Sequence, residues 1–351
     1  VKERLKDTKI KILDTGVKHG TITLISKKTK LEITTLRKDI NTDGRHAEIV
    51  YTDNWKEDSN RRDITINAIY LDIKGNIYDF QNGVEHLKKN IVKFIGNPSK
   101  RIQEDYLRII RFLRFAIQYD SITDIDTINA LKLNLDGVKT LSKERISDEL
   151  FKILKLKNFD NILKHKNKKN IFSLIFPEFK NLDRIKKLKY FKNSSEFPSL
   201  TLILGTLLFD NSNNYEYFCY KYKTSNKISS NLTNLFKLYN DFKKNNNFLK
   251  KNLTKNIYYY GTENIKNVAK LHFFEKSKVS INELNSTLKK IEEVKIPKFN
   301  YDGLYLKSKG MKEGEKIGKT LKLIEREWLS NNFNISENKI TEIINMQKDQ
   351  I

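Results

Sequence analysis

The sequence predicts an α+β head followed by an all-helical remainder, and three observations predict it. Up to about residue 95 the apolar residues fall in short β-branched groups between turn signals, as at Thr21 to Ile25 and Leu31 to Thr35. After Gly96-Asn97-Pro98 the spacing becomes helical, with Ile102, Tyr106, Ile109, Ile110, Leu113 and Ile117 on one stripe. Beyond it Leu, Ile and Phe recur at helical spacing between Lys- and Asn-rich connections, and the 351 residues include only 4 Pro to interrupt them.

Each element has its own signal. The first two strands join through Lys27-Lys28-Thr29-Lys30 as an antiparallel hairpin. From Asn41 to Asp58 the chain is polar and carries Asp43-Gly44-Arg45-His46, which predicts a mobile loop. Ile64 to Ile73 is apolar enough to be buried, and Gly75-Asn76 turns into a short strand at Ile77 to Asp79. One helix is expected through the stripe from Ile102 to Ile117. A second starts from Ser142 as N-cap and runs through Glu144-Arg145-Ile146 and Glu149-Leu150 to Leu154. Leu200 to Phe209 is too short to span a bilayer and contains Thr201, Gly205 and Thr206, so it reads as a buried helix. The expected division is a head at 1–96, a helical neck at 97–157, a helical body at 158–250 and a helical tail at 251–351, the last boundary lying in the Asn-rich stretch Asn245 to Asn252.

A net charge of +24, from 67 Lys and Arg against 43 Asp and Glu, favours a polyanionic partner. Lysine runs such as His165 to Lys169 equally suit a solvated surface. A single cysteine, Cys219, leaves no disulfide framework and no cysteine-based zinc site. With neither a signal peptide nor a membrane span, the expectation is a cytoplasmic protein with no membrane contact and no evident protein partner.

Two octapeptides concentrate the chemistry. Arg61-Arg62-Asp63-Ile64-Thr65-Ile66-Asn67-Ala68 sets two fixed cations, a carboxylate and an amide beside apolar anchors. Arginine pairs bidentately with phosphate, and a carboxylate accepts from a ribose hydroxyl, so a nucleoside triphosphate suits the string. Salt bridges from Arg61 and Arg62 to Asp58 or Asp63 at a sheet edge would also explain it. About forty residues later comes Glu104-Asp105-Tyr106-Leu107-Arg108-Ile109-Ile110-Arg111. Asp105 and Arg108, three apart, would share a helix face, with Arg111 a turn further on and able to reach a phosphate. An i,i+3 surface ion pair is the plain alternative.

That pairing has a chemical consequence. Cytosine and adenine both show an amine donor beside a ring-nitrogen acceptor on their pairing edge. Uracil and guanine show an oxygen acceptor beside an N–H donor. Asp only accepts and Arg only donates, so Asp105 with Arg108 would fit C and A and repel U and G.

At these residues the chain resembles the class II CCA-adding tRNA nucleotidyltransferases and the related bacterial poly(A) polymerases, densely from Gly16 to about Leu154 and more weakly to the C-terminus. The resemblance implies a polymerase-beta-like nucleotidyltransferase head and template-independent addition of CCA to tRNA from CTP and ATP, with release of pyrophosphate. Asp105 and Arg108 would then serve as a protein template oriented by Glu104. Asp63 would select the ribonucleotide, with Arg62 and Asn67 supporting sugar and phosphate. Glu32, in Leu31-Glu32-Ile33-Thr34-Thr35-Leu36-Arg37, resembles the glutamate beside the family's metal, taken to be magnesium. A solvent-exposed strand residue is the alternative for Glu32.

The same resemblance marks departures. The family's D-x-D on an earlier strand is not in this chain, and Val1 aligns just beyond it, so the expectation is an N-terminally truncated, inactive fragment. Asp124-Ile125-Asp126 follows the base-reading helix and is rejected as the metal site. His86 stands where the family prefers Asp, and Lys316 where it has Gly-Pro. The loop at Asp43, Gly44, Arg45 and His46 matches one that lets relatives switch from C to A. Lys164 to Lys169, Arg184 to Lys189 and Lys250-Lys251 would meet tRNA through shape and phosphate. A poly(A) polymerase of the same family and a non-catalytic tRNA-binding protein remain as alternatives.

Overall fold

A computed structural model describes residues 1–348 except 7, 15, 16, 18, 19, 28, 43–46 and 195. The chain divides into two compact units, Val1–Ser230 and Asn231–Ile351. The border lies within the span 158–250 that composition assigned to one body.

The first unit opens with small antiparallel sheets. β1 (Lys11–Leu13), β2 (Thr21–Ser26) and β3 (Thr29–Thr34) form one in the order β1-β2-β3, and the expected hairpin is there with Thr23 opposite Glu32. β4 (Arg37–Thr42) and β5 (Ala47–Tyr51) form a second hairpin, and α1 (Trp55–Asn60) follows, its N-cap Asn54 accepting from the amides of Lys56 and Glu57. The polar loop expected over Asn41 to Asp58 is therefore corrected. Ile49-Val50-Tyr51 has enough β-branched and aromatic character to pair, and Asn54 starts a helix. Asp43, Gly44, Arg45 and His46 lie outside the described residues.

β6 (Ile69–Leu71) and β7 (Ile77–Asp79) make a third hairpin. Of the run expected to be buried, Ile64 and Ala68 are inside but Leu71 and Ile73 lie in solvent, because the run ends on a two-stranded edge. α2 (Gly83–Lys88) begins where a Cβ would come within 2.4 Å of the Thr65 carbonyl oxygen, so Gly83 permits the close approach. His86 Nδ1 lies 2.9 Å from Thr65 Oγ1, which ties α2 to the nucleotide string.

The single helix expected from Ile102 to Ile117 is two: α3 (Pro98–Glu104) and α4 (Leu107–Gln118). Asp105 adopts an extended backbone (φ −160°), and its Oδ1 accepts from the Leu107 amide at 3.1 Å. A short side chain that caps the next helix competes with helix continuation, and apolar periodicity does not register that competition. Tyr106 packs on Gly137 in the 3-10 turn Leu135–Thr140, where a Cβ would lie 2.1 Å from the ring. Gly137→Ala is therefore expected to cost about 1–3 kcal/mol by overpacking. Urea unfolding of the variant beside the wild type measures it, and an unchanged midpoint would show that the ring is free to move.

α5 (Ile125–Leu133) is capped by Asp124, which accepts from the Thr127 amide at 2.8 Å. α6 (Lys143–Leu154) starts at Ser142 as expected, α7 (Lys166–Ile175), α8 (Leu200–Leu208) and α9 (Asn214–Lys221) follow it, and α10 (Asn226–Lys244) runs across the border. α4 is the centre of the core: Ile109, Ile110, Phe112, Leu113, Ala116 and Ile117 are fully buried, and α6 packs along it. α8 is buried over most of its length, as its apolar run indicated.

Two of the basic clusters assigned to RNA are partly internal. Lys168 is buried and donates to the carbonyls of Ala116 and Ser121 at the end of α4, and burial pushes its ammonium down to about 8. Lys187 is buried, and Arg184 donates to the carbonyls of Thr206 at 3.2 Å and Phe209 at 3.0 Å. A lysine run on a helix puts some members on the inner face, so these clusters offer fewer free cations than their count suggests.

The second unit holds α11 (Leu253–Tyr260), α12 (Thr262–Glu275), α13 (Ile281–Glu293), α14 (Gly303–Ser308), α15 (Glu315–Ser330) and α16 (Glu337–Lys348). Leu306, Met311, Ile324, Ile340, Ile343 and Ile344 form a core beneath the last three. Among the described residues no helix is long and apolar enough to cross a membrane.

Candidate nucleotide site

The two octapeptides meet. Arg61, Arg62, Asp63 and Asn67 from the first and Asp105, Arg108 and Arg111 from the second line one cavity of about 440 Å³, with Phe115 beside them. Four guanidiniums against two carboxylates leave an excess of two positive charges, which suits an anionic ligand carrying hydrogen-bonding groups.

Asp58 at the base of α1 orients the arginine pair. Its Oδ1 accepts from Arg61 Nε at 2.8 Å and its Oδ2 from Arg62 Nε at 3.1 Å and Nη2 at 2.9 Å. The Tyr70 hydroxyl also donates to Oδ2 at 2.7 Å, and the Arg37 amide to Oδ1 at 3.1 Å. Salt bridges from both arginines to Asp58, the plain alternative, do form, and they still leave Arg62 about a third exposed at the cavity. Trp55 sits edge-on to Tyr78, with ring centroids 4.7 Å apart, and 5.6 Å from Tyr70, packing around this anchor.

Burial of Asp58 opposes its charge, but the Tyr70 hydroxyl, the Arg37 amide and the two guanidiniums outweigh it and hold the carboxyl at about 2, against an ordinary 3.8. A carboxyl depressed by folding contributes stability that is complete above its unfolded value and is lost as pH falls through the folded one. Asp58 should therefore account for about 2 kcal/mol lost between roughly pH 4 and pH 2. Denaturant unfolding at pH 5, 3 and 2 tests this, and an Asp58→Asn variant should lose that part of the slope.

Asp63 is buried against the other wall. Its Oδ1 accepts from the Ile64 amide at 3.0 Å and Asn67 Nδ2 at 3.2 Å, and its Oδ2 from Arg111 Nε at 2.6 Å. Burial opposes its charge, and Arg111 with Asn67 overrides that and lowers the carboxyl. Arg111 also faces Glu149 on α6 at 3.8 Å, and Glu149 accepts from Arg114 Nε at 2.8 Å and Lys152 Nζ at 2.7 Å.

Asp105 and Arg108 do not lie on one helix as anticipated, nor do they form the i,i+3 pair between themselves. Asp105 precedes α4, and its Oδ2 accepts from Arg145 Nη2 at 2.8 Å. Arg108, in the first turn of α4, donates to the Arg101 carbonyl at 2.9 Å and pairs with Glu104. Glu104, itself paired with Arg101 at 2.9 Å, stands behind the cavity wall rather than in it. The two side chains are thus held by separate partners and both border the cavity.

Glu32 does not line this cavity. Its exposed side chain pairs with Lys30 Nζ at 2.9 Å, and that lysine lowers its carboxyl. Among the described residues no group of three or more His, Cys, Asp or Glu lies together. A divalent ion wants several oxygen donors, so these residues do not fit a magnesium site.

The sequence reading offered the Asp58 salt bridges only as an alternative to nucleotide binding, and it missed the partners supplied by Tyr70 and α6. Asp58 lies three and four residues before Arg61 and Arg62, the spacing of a helical ion pair, which was its available signal. No local signal linked Arg145 to Asp105, forty residues away.

Residues 1–93 match the family described as "Poly A polymerase head domain", residues 124–182 that described as "Probable RNA and SrmB-binding site of polymerase A", and residues 192–344 tRNA nucleotidyltransferase domain 2. The human mitochondrial CCA tRNA nucleotidyltransferase 1 is 44% identical over 158 residues, covering 44% of this chain and 36% of that protein. The CCA-adding enzyme of Ligilactobacillus salivarius is 39% identical over 158 residues, 44% of this chain and 39% of that one. The matched segment thus spans little more than a third of these curated relatives. A Bacillus stearothermophilus CCA-adding enzyme solved in complex with CTP shares the fold with a TM-score of 0.68 at 20% identity, over 96% of this chain and 84% of that one. Head and helical remainder together define a polymerase-type nucleotidyltransferase architecture. The chain belongs to the family of class II CCA-adding enzymes and bacterial poly(A) polymerases.

Proposed function

We propose that this protein serves CCA addition: template-independent transfer of C, C and A to the 3′ end of tRNA from CTP and ATP, with release of pyrophosphate. The observation that carries the reading is the convergence of Asp105 and Arg108 with Arg62, Asp63, Asn67 and Arg111 on one cavity. Asp105 accepts from the exocyclic amine of cytosine or adenine, and Arg108 donates to the adjacent ring nitrogen. Uracil and guanine would set an oxygen against the carboxylate and an N–H against the guanidinium. Arg62 and Arg111 serve the phosphates. Asp63 keeps acceptor capacity on Oδ2 for a ribose hydroxyl, with Asn67 holding its other oxygen.

The chain's excess positive charge supports a tRNA substrate, as do the names of its relatives, one of which is a Thermotoga maritima CCA-adding enzyme solved with tRNA. Magnesium and a cytoplasmic location enter this reading only through the family resemblance, since the described residues supply no magnesium site of their own and the human relative is named as mitochondrial. Product length tests it. In a protein that also carries the family's D-x-D, the expected product on tRNA lacking its terminal CCA is three added nucleotides; long adenylate tails on unrelated RNA would assign poly(A) polymerisation instead. Salt-sensitive tRNA binding without any incorporation would favour a binding protein.

A further inference from the structure

The first turn of α6 is an unfavourable place for an arginine. Arg145 is the third helical residue after the Ser142 cap, where a capping box would carry Glu or Gln reaching back to the cap amide. It also stands at the positive end of the helix dipole, so the position disfavours a guanidinium on both counts. Its partner is Asp105, whose Oδ2 accepts from Nη2 at 2.8 Å. The two side chains are 38% and 26% exposed, and a solvated pair of that kind contributes little stability. The arginine is therefore explained by what it does to Asp105 rather than by what it adds to the fold.

Two contacts orient that carboxylate, the Leu107 amide on Oδ1 and Arg145 on Oδ2. Each oxygen keeps a lone pair for a ligand. Arg108 lies three residues away with its own partners, Glu104 and the Arg101 carbonyl. Without Arg145, Asp105 would be free to turn toward Arg108, and the acceptor and the donor would then satisfy each other. One turn along α6, Glu149 faces Arg111 on the phosphate side of the same cavity. α6 therefore supports both parts of the pocket from behind.

We propose that Arg145 is a specificity-determining positioning residue: it holds the Asp105 carboxylate away from Arg108, so that acceptor and donor remain separately presented to a base edge carrying an amine beside a ring nitrogen. The inference rests on the nucleotide reading above. Its test compares the affinities of CTP, UTP and inorganic tripolyphosphate for the wild type, Arg145→Ala, Arg145→Lys, Asp105→Ala and the Arg145→Ala/Asp105→Ala double variant. The expected result is a CTP-to-UTP preference that falls about tenfold in Arg145→Ala, returns in part with Arg145→Lys, and does not fall further when Arg145→Ala is added to Asp105→Ala. Tripolyphosphate affinity, which reports the phosphate wall, should change far less than the CTP-to-UTP preference in the two Arg145 single variants. An unchanged preference in Arg145→Ala overturns the inference, as does a parallel loss of tripolyphosphate binding, which would mark a merely structural role. A wild type that binds tripolyphosphate but holds CTP and UTP equally overturns the nucleotide reading itself.

Discussion

Asp105→Ala will erase most of the preference for CTP over UTP while leaving tRNA affinity nearly unchanged. Base-edge recognition by a charged side chain is worth about 1–3 kcal/mol of discrimination, so the ratio of the two affinities should fall by roughly one order of magnitude or more. The direction follows from chemistry as well as place. Asp105 is the one lining carboxylate besides Asp63, which Arg111 and Asn67 hold, and only an acceptor can reject the uracil oxygen. Its removal also frees the Leu107 amide at the start of α4, which any nearby water can satisfy. Competition binding with the four nucleoside triphosphates checks this; unchanged discrimination against UTP and GTP would falsify the template assignment.

Asp58→Ala should be the most destabilising single change in the head, at about 3–5 kcal/mol. The carboxylate is fully buried and serves two guanidiniums, a tyrosine hydroxyl and a backbone amide. Removing it leaves two cations facing each other over a buried hydroxyl, and breaking a buried pair costs more than the pair itself contributes. Arg61 and Arg62 would lose their orientation, so triphosphate affinity should fall along with the unfolding midpoint. Denaturant unfolding and tripolyphosphate binding measure the two effects. A stable variant that still binds tripolyphosphate would show that the arginines are held by other contacts.

Much of this was legible in the chain. The β-branched groups before residue 95 and the helical stripe after it located head and helices, because periodicity reports burial directly. Seven of the residues singled out for the nucleotide line the same cavity, since charged side chains beside apolar anchors are already placed by the anchors. What failed did so for local reasons. The break at Asp105 is a capping event that apolar spacing cannot register, and Tyr106 fits there only because Gly137, thirty-one residues on, has no side chain. β5 and α1 were hidden in a polar stretch where Asn54 caps rather than loops. Lys168 and Lys187 read as surface charge but turn inward, because the helix face and not the residue type decides exposure. The pairing of Arg145 with Asp105 depends on tertiary packing of α6 on α4 and leaves no trace in either segment.

The most direct measurement is the affinity of the protein for CTP, ATP, UTP and GTP at one ionic strength, by competition against a fluorescent CTP. CTP and ATP should bind alike and more tightly than UTP and GTP by about tenfold or more. Equal affinities for all four would contradict it, leaving the cavity a triphosphate site with no reader of the base.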